Sequence, residues 1–237
     1  MFKDTTPIYE FRGPFNIPIQ IGGSLVMLIV FYVMMSGGDL VWTATFIVML
    51  ITAILLHELG HAWACEVQGV PVRRVMLYGG GGFCERARSA SAWQQEFIVA
   101  MGPIVNIALW AGCSLLSESL WLWIVADAAN LENPETLFYG PRAEIAILLE
   151  RFAAVNGFLA LFNLIPVQPL DGGKLLHLTL LRLATPRTAL VVTGGIGLAL
   201  SIIWIPAMLV VYGAGWWILF FIPSVPQHWA MMKGQIA

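Results

Sequence analysis

Three residues close together in the chain have the types and the spacing to bind a metal ion and activate water. They are His57, Glu58 and His61. Residues four apart lie on the same face of a helix, so the two imidazoles converge on one metal ion. Glu58 lies beside them, where a carboxylate can accept a proton from metal-bound water. The pattern predicts a hydrolase with one zinc ion per chain, His57 and His61 as ligands and Glu58 as the catalytic base.

The composition predicts that this motif belongs to a membrane protein. Hydrophobic residues make up 59% of the 237 residues and charged residues only 11%, whereas a soluble domain has about 25% charged residues. We expect a single integral membrane domain over residues 1–237, with a core at 15–183 and C-terminal helices at 189–222. The net charge of −2 offers no basic surface, so nucleic acid is not an expected partner.

Long apolar blocks predict an all-α polytopic membrane protein with about six transmembrane helices, each needing about 20 apolar residues. The first four blocks are residues 19–35, 40–67, 93–116 and 143–165. A shorter apolar helix is expected at 174–184. Residues 189–222 form either two spans broken near Pro206, which we favour, or one long span with an interfacial piece. Residues 120–129 are too short to span alone and are expected at the membrane interface or as a short cap.

The distribution of charge predicts the orientation in the bilayer. Basic residues lie in the N-terminal tail, in residues 69–92 and in residues 174–187, whereas residues 118–140 carry acidic side chains and no basic one. Because cytoplasmic loops carry an excess of Lys and Arg, the N-terminus and the active-site opening are expected on the cytoplasmic side. We expect a multi-pass protein in the inner membrane of a bacterial or archaeal cell.

Two stretches look extended in an otherwise helical chain. Residues 15–21 alternate in polarity, and residues 70–78 lead into four successive glycines at 79–82. Glycine is unfavourable in a helix interior. The sequence therefore predicts small membrane-associated β-strands near the N-terminus and after the helix that carries the motif.

A catalytic zinc ion usually has three protein ligands and keeps a fourth position for water, so one more ligand is needed. The candidates are Asp171, Glu85, Glu96, His177 and His228. Asp171 ranks first because it follows a proline-rich break on the same predicted side of the membrane as the motif, next to two glycines. The two glutamates rank behind it. The two histidines are expected on a helix surface and in the C-terminal tail.

Three blocks together resemble the site-2 proteases, a family of intramembrane zinc metalloproteases. The first is the His-Glu-x-x-His motif at residues 57–61, and the second is Gly-Pro-x-x-Asn at residues 102–106. The third, at residues 163–173, is similar to the family's Asn-x-x-Pro and Leu-Asp-Gly signature. The blocks occur in the family's order, and the first and third jointly are highly specific.

The resemblance implies a role for each matching residue. Asp171 would be the third zinc ligand and Glu58 the general base. Asn163 would contact the substrate backbone or stabilise the oxyanion, and Asn106 would support a ligand or bond between helices. The implied activity is hydrolysis of peptide bonds within or near transmembrane segments of single-span membrane proteins, as in regulated intramembrane proteolysis. The chain resembles a minimal member without PDZ or CBS domains.

Two other interpretations remain open from the residues alone. A different membrane zincin would use Glu85 or Glu96 as the third ligand, and replacing Asp171 would then leave its zinc in place. A metal transporter or an inactive membrane binder is the alternative from another class. A transporter should show further intramembrane ligands or an internal repeat, and the sequence shows neither.

Overall fold

The computed structural model describes residues 6–128, 135–212 and 221–235. In these residues the chain forms eight α-helices and one four-stranded sheet. The helices are α1 (Gly23–Met35), α2 (Leu40–Val67), α3 (Ala92–Ala128), α4 (Glu135–Phe138), α5 (Pro141–Asn163), α6 (Asp171–Leu183), α7 (Pro186–Tyr212) and α8 (Val225–Met232). The strands are β1 (Pro7–Arg12), β2 (Pro18–Gly22), β3 (Val72–Tyr78) and β4 (Gly81–Arg86).

Four helical segments are long and apolar enough to cross a membrane: α2, α3, α5 together with α4, and the part of α7 up to Trp204. Their outward-facing side chains include Val41, Leu122 and Leu161, which are 80%, 66% and 73% exposed. Extensive apolar surface of this kind is unfavourable in water and favourable against lipid. The chain is therefore an integral membrane protein.

The described residues contain four such segments and not the six that were expected. The first predicted span is too short, because α1 has only 13 residues. That length gives about 20 Å of helix, whereas the hydrocarbon core is about 30 Å thick. Residues 19–22 of the predicted span instead belong to β2, which pairs with β1 and β3 and agrees with the extended segment predicted at 15–21.

The predicted end of the third span is also wrong. α3 continues as one helix of 37 residues, so the segment expected at the interface or as a separate cap prolongs it. Packing on α5 explains the continuation. Ile124 is 1% exposed, and the Ser117 hydroxyl donates a hydrogen bond of 2.9 Å to the Ala146 carbonyl of α5.

The predicted break at Pro206 does not occur. α7 passes through this proline and ends at Tyr212. Proline is tolerated in spanning helices when neighbouring groups satisfy the freed backbone carbonyl. The remainder of the span that was expected beyond it includes residues 213–220, which lie outside the described residues.

The strands form one sheet in the order β1-β2-β3-β4, with β2 and β3 parallel and the other neighbours antiparallel. This confirms the small strands predicted near the N-terminus and after the motif helix. Gly81 begins β4 after a tight turn, with a φ of +121° that favours glycine. Among the described strands, β4 forms an edge of the sheet, and it contacts α2. One strand edge therefore lies beside the helix that carries the motif.

The sheet and α3 enclose the motif helix from two directions. Val75 and two isoleucines of the sheet region form a buried cluster with Ala62 of α2. A Cβ at Gly60 of α2 would lie 2.8 Å from the Met101 carbonyl oxygen of α3, so only glycine allows the two helices to approach this closely. This packing positions the residues next to Gly60 on α2.

Candidate metal centre

The two histidines of the motif and Asp171 come together at one point in the protein. The Nε2 atoms of His57 and His61 are 3.1 Å apart, and each lies 3.1 Å from Oδ2 of Asp171. All three residues are buried, at 4%, 7% and 4% exposure. Within the described part of the chain, this is the one group of three or more His, Cys, Asp or Glu side chains with the geometry to hold a metal ion.

The geometry of this triangle fits zinc. Tetrahedral zinc binds His nitrogen at about 2.0–2.1 Å, which places neighbouring ligand atoms about 3.3 Å apart. The observed separations of 3.1 Å are close to that value. Two neutral imidazoles and one carboxylate are also a common donor set for catalytic zinc. The three residues can therefore hold a zinc ion and leave one position for water.

Gly102 of α3 keeps the space beside the ligand nitrogens open. A Cβ at this position would lie 2.4 Å from Nε2 of His61 and 2.6 Å from Nε2 of His57. No side chain fits there without displacing the imidazoles. The block requires glycine at this position because a side chain would occupy the space of the metal-binding atoms.

Each histidine is oriented by a hydrogen bond from its other ring nitrogen to α3. Nδ1 of His61 lies 2.7 Å from the Ile98 carbonyl oxygen, and Nδ1 of His57 lies 2.5 Å from Oδ1 of Asn106. A carbonyl oxygen can only accept, so Nδ1 carries the proton and Nε2 presents its lone pair to the metal position. Such partners fix the ring and raise the basicity of the ligand.

Asp171 reaches the site from the first residue of α6. Its Oδ1 accepts a hydrogen bond of 2.9 Å from Nζ of Lys174, which leaves Oδ2 facing the histidines. A Cβ at Gly172 would lie 2.1 Å from the Leu164 carbonyl oxygen, and one at Gly173 would lie 2.5 Å from the carbonyl carbon of Val167. The two glycines therefore allow the first turn of α6 to pack under the loop that follows α5.

Glu58 is 6% exposed and points toward the sheet. A Cβ at Gly82 of β4 would lie 2.6 Å from Cγ of Glu58 and 3.0 Å from its Oε1. The carboxylate therefore lies between the motif helix and the edge strand. The glycine run after β3 allows this approach, since a larger side chain at this point would push the strand away.

The two glutamates considered as alternative third ligands bind arginines instead. Glu85 accepts hydrogen bonds from Arg74 at 2.6 Å and Arg73 at 2.9 Å, and the Arg74 guanidinium holds the pKa of this carboxyl below its usual value. Both oxygens of Glu96 accept hydrogen bonds from Arg182 of α6. Neither glutamate belongs to the metal-binding group.

The expectation for His177 agrees with its position, whereas the one for His228 is wrong. His177 lies on α6, with Nδ1 3.3 Å from the Thr193 hydroxyl of α7. His228 is fully buried in α8, where its Nε2 accepts a hydrogen bond of 3.2 Å from the backbone N–H of Gln168. That N–H belongs to the loop leading to Asp171, so the C-terminal helix supports the ligand loop.

A local signal for α8 was present in the sequence. Ser224 caps the helix by accepting a hydrogen bond of 3.3 Å from the Gln227 backbone N–H, and Pro226 lies in the first turn. Serine followed three residues later by glutamine, with proline in the first turn, is a typical helix start. The burial of His228 had no local signal, because it depends on packing against α7. A Cβ at Gly197 would lie 2.0 Å from its ring.

Two asparagines of α5 differ in their relation to the site. Asn163, predicted to contact substrate, is half-buried at the C-terminal end of the helix, and its side-chain N–H donates to the Leu159 carbonyl at 3.0 Å. Asn156 is not among the residues predicted for the site, yet it is fully buried and bonds to Asn106 at 2.8 Å. Its signal was a polar residue inside an apolar span, which is costly to bury without a partner.

Comparisons with known proteins agree with this fold. The family model described as peptidase family M50 matches residues 45–204. The protein sll0528 of Synechocystis sp. is 29% identical over 175 residues, which cover 68% of this chain and 41% of that protein. Rip3 of Mycobacterium tuberculosis is 31% identical over 167 residues, which cover 70% of this chain and 36% of Rip3. The chain thus spans less than half the length of these two relatives, and the name of each includes zinc metalloprotease.

The fold also matches a solved structure. The site-2 protease from Methanocaldococcus jannaschii superposes with a TM-score of 0.61 at 20% identity, and the match covers 95% of this chain and 92% of that one. The family model covers more than half of this chain, including the His-Glu-x-x-His motif and Asp171. We conclude that the chain belongs to peptidase family M50, the family of the site-2 proteases.

Proposed function

We propose that the chain is a zinc metalloendopeptidase that cleaves peptide bonds within or near the transmembrane segments of other membrane proteins. The whole chain, residues 1–237, would act as one membrane protease domain, with single-span proteins as substrates in regulated intramembrane proteolysis. The observation that carries this proposal is the triangle of His57, His61 and Asp171 with 3.1 Å sides, beside the buried carboxylate of Glu58. A zinc peptidase needs this combination of a metal site and a base.

In the proposed chemistry, three residues bind a zinc ion and a fourth transfers a proton. When bound, zinc supplies Lewis acidity and lowers the pKa of a coordinated water to about 7. His57, His61 and Asp171 hold the ion through their Nε2 and Oδ2 atoms. Glu58 accepts the proton of the attacking water and passes it to the nitrogen of the leaving amine. Burial of the site favours this proton transfer, because bulk water does not compete for the carboxylate.

Asn163 and the edge strand β4 are the proposed contacts for the substrate. A helical substrate hides its peptide groups, so it must unwind locally before a base can reach the bond. The outer edge of β4, which pairs with no other described strand, can hold an unwound segment by adding it as a strand. Gly82 is in contact with Glu58, so a segment paired to β4 would run beside the base. The Asn163 amide at the end of α5 would bond to the substrate backbone or the oxyanion.

The same proposal includes a location. The N-terminus and the opening of the site would face the cytoplasm, in the inner membrane of a bacterial or archaeal cell. The bias of Lys and Arg toward the N-terminal tail, residues 69–92 and residues 174–187 supports this orientation. Labelling of single cysteines placed in residues 69–92 and 118–140, from either side of a sealed vesicle, tests it. Equal labelling from the outside in both segments would contradict the orientation.

The test of the activity is co-expression with single-span candidate substrates. Wild-type protein should cleave a substrate that Glu58→Gln leaves intact, while both proteins retain zinc, because Glu58 is not a ligand. Glu66→Gln is the matched control, since it makes the same change at an exposed position on the same helix and should cleave like wild type. Equal cleavage by wild type and Glu58→Gln would remove Glu58 from the mechanism.

A further inference from the structure

A line of buried hydrogen bonds joins α5 to the metal centre through α3. The side-chain N–H of Asn156 donates to the Phe152 carbonyl at 2.9 Å. Oδ1 of Asn156 accepts from Nδ2 of Asn106 at 2.8 Å, and Oδ1 of Asn106 lies 2.5 Å from Nδ1 of His57. Both asparagines have no exposed surface. Two polar side chains are thus buried in series behind one zinc ligand.

The donor and the acceptor of each hydrogen bond in this line follow from the Phe152 carbonyl, at the end away from His57. The Phe152 carbonyl can only accept, so Asn156 must turn its Nδ2 toward it and its Oδ1 toward Asn106. Asn106 must then present Nδ2, which also lies 3.4 Å from a second acceptor, the Ala53 carbonyl. Its Oδ1 is left facing His57. An amide oxygen there requires the proton of the imidazole on Nδ1, which leaves the lone pair on Nε2.

We propose that Asn156 is a positioning residue that selects, through Asn106, the tautomer of His57 that binds zinc. The inference rests on the proposed zinc site, but it concerns the affinity for the metal and not peptide cleavage. Asn156 itself does not touch the metal-binding group. Its effect passes through the orientation of one amide.

Loss of Asn156 should allow the amide of Asn106 to turn over. With Asn156→Leu, Nδ2 of Asn106 keeps only the Ala53 carbonyl, which is distant at 3.4 Å. If the amide turns, it presents Nδ2 to His57 and stabilises the tautomer with its proton on Nε2. That tautomer must give up its proton before it binds zinc. Loss of an outer-shell partner typically weakens metal affinity by about 10–100-fold, and we expect Asn156→Leu to fall in this range.

A packing role for Asn156 predicts the opposite order of variants. If Asn156 only filled space between the helices, the apolar leucine would be tolerated in the membrane, and an aspartate would be the harmful change. In the relay, Asn156→Asp keeps an oxygen acceptor toward Asn106 whether or not the carboxyl is ionised. We therefore expect Asn156→Asp to retain near wild-type zinc affinity even where it lowers thermal stability.

The experiment measures zinc affinity of the purified full chain in detergent by competition with a chelating dye. Asn156→Leu should bind zinc about 10–100-fold more weakly than wild type, and Asn156→Asp should resemble wild type. Ser117→Ala is the matched control, because it removes another buried α3–α5 hydrogen bond, to Ala146, far from the ligands along α3. It should leave zinc affinity unchanged.

A double variant tests the direction of the relay and does not depend on the single variant alone. Asn106→Asp places an oxygen acceptor next to His57 whichever way the side chain turns, so Asn106→Asp combined with Asn156→Leu should recover zinc affinity. Recovery supports the relay even where Asn156→Leu alone folds poorly. Failure of the folded double variant to bind more tightly than folded Asn156→Leu overturns it, as does wild-type affinity in Asn156→Leu. Wild-type protein that binds no zinc would overturn the proposed function itself, and the relay with it.

Discussion

The two sides of the metal centre are built in different ways. His57 and His61 lie on a long helix, and the second nitrogen of each is tied to α3 by a bond of 2.5 or 2.7 Å. Asp171 begins a short helix after a loop, and its second oxygen is tied to Lys174, whose side chain is 46% exposed. The histidine side is thus fixed by helix packing. The aspartate side depends on how one loop is held.

The two sides should therefore differ in their sensitivity to substitution. Alterations where α3 meets the histidines cannot relax, because two packed spanning helices would have to move apart. Changes on the aspartate side can be absorbed by the loop before α6, so they should weaken metal binding in smaller steps. Variants on the histidine side should therefore lose more zinc affinity than variants on the aspartate side.

Gly102→Ala should have the largest effect. Its Cβ would lie 2.4 Å from Nε2 of His61 and 2.6 Å from Nε2 of His57, so the ligand nitrogens cannot keep their places. We expect zinc affinity to fall by more than about 100-fold, above the usual range for supporting residues. Zinc content after dialysis against a weak chelator measures this. Gly112→Ala on the same helix is the control, because a Cβ there has no atom within 4 Å. Equal zinc content in the two variants would contradict the account of the histidine side.

His228→Leu should have an intermediate effect that acts through the loop. It removes the acceptor of the Gln168 N–H, and an unsatisfied buried N–H costs about 1–3 kcal/mol. We expect a lower Tm and zinc affinity weaker by about tenfold, the lower end for a supporting residue. His177→Leu is the control on α6, since its ring bonds to Thr193 of α7 and not to the loop. A lower Tm with unchanged zinc affinity would show that α8 does not support the loop that leads to Asp171.

Lys174→Met should have a small effect. Partly exposed ion pairs contribute about 0–1 kcal/mol, so we expect zinc affinity to fall by up to about fivefold. High salt should lower the zinc affinity of the wild type toward that of the variant, because it screens the ion pair between Lys174 and Asp171. Lys233→Met provides the control, as this lysine lies over the Trp229 ring at 4.7 Å, on α8. A loss as large as that of Gly102→Ala would mean that both sides of the site are equally rigid.

Glu85→Gln should not affect zinc and should alter only the acid stability of the sheet. The pKa of Glu85 is lowered in the folded protein, chiefly by its hydrogen bond from Arg74. A depressed pKa contributes stability above the unfolded value, about 4.3 for Glu, and this stability is lost as the pH falls through the folded value. The Tm difference between wild type and Glu85→Gln should therefore be present at pH 7 and shrink toward pH 3. A Tm difference that stays the same from pH 7 to pH 3 would show that the charge of Glu85 does not cause it.

The sequence predicts the histidine side of the site well, because helical periodicity alone aligns His57 with His61. Asp171 could also be ranked first from its neighbours, since the glycines and the break before it are local features. Asn156 and His228 could not be assigned roles, because their partners, Asn106 on another helix and the Gln168 N–H in a loop, are 50 and 60 residues away in the chain. Packing between elements decides which polar residue meets which, and composition does not contain that information.

The span boundaries were harder to predict than the site. Hydropathy describes an apolar block but not what the block pairs with, so residues 19–21 belong both to the predicted strand at 15–21 and to the predicted first span at 19–35. The block at 120–129 is too short to span alone and was therefore expected apart from the third span, yet the burial of Ile124 and the bond from Ser117 to α5 stabilise its continuation within α3. Strand pairing and helix packing are tertiary interactions that override a local apolar count.

X-ray absorption at the zinc edge of the purified protein measures directly whether His57, His61 and Asp171 bind the metal. The account predicts one zinc ion with two histidine nitrogens at about 2.0–2.1 Å and oxygen ligands at about 2.0–2.2 Å from the carboxylate of Asp171 and water. Asp171→Ala should remove one of the oxygen ligands and leave both nitrogens. A sulfur ligand at about 2.3 Å, from a cysteine such as Cys65 one turn beyond His61 on α2, or a spectrum that Asp171→Ala leaves unchanged, would contradict it.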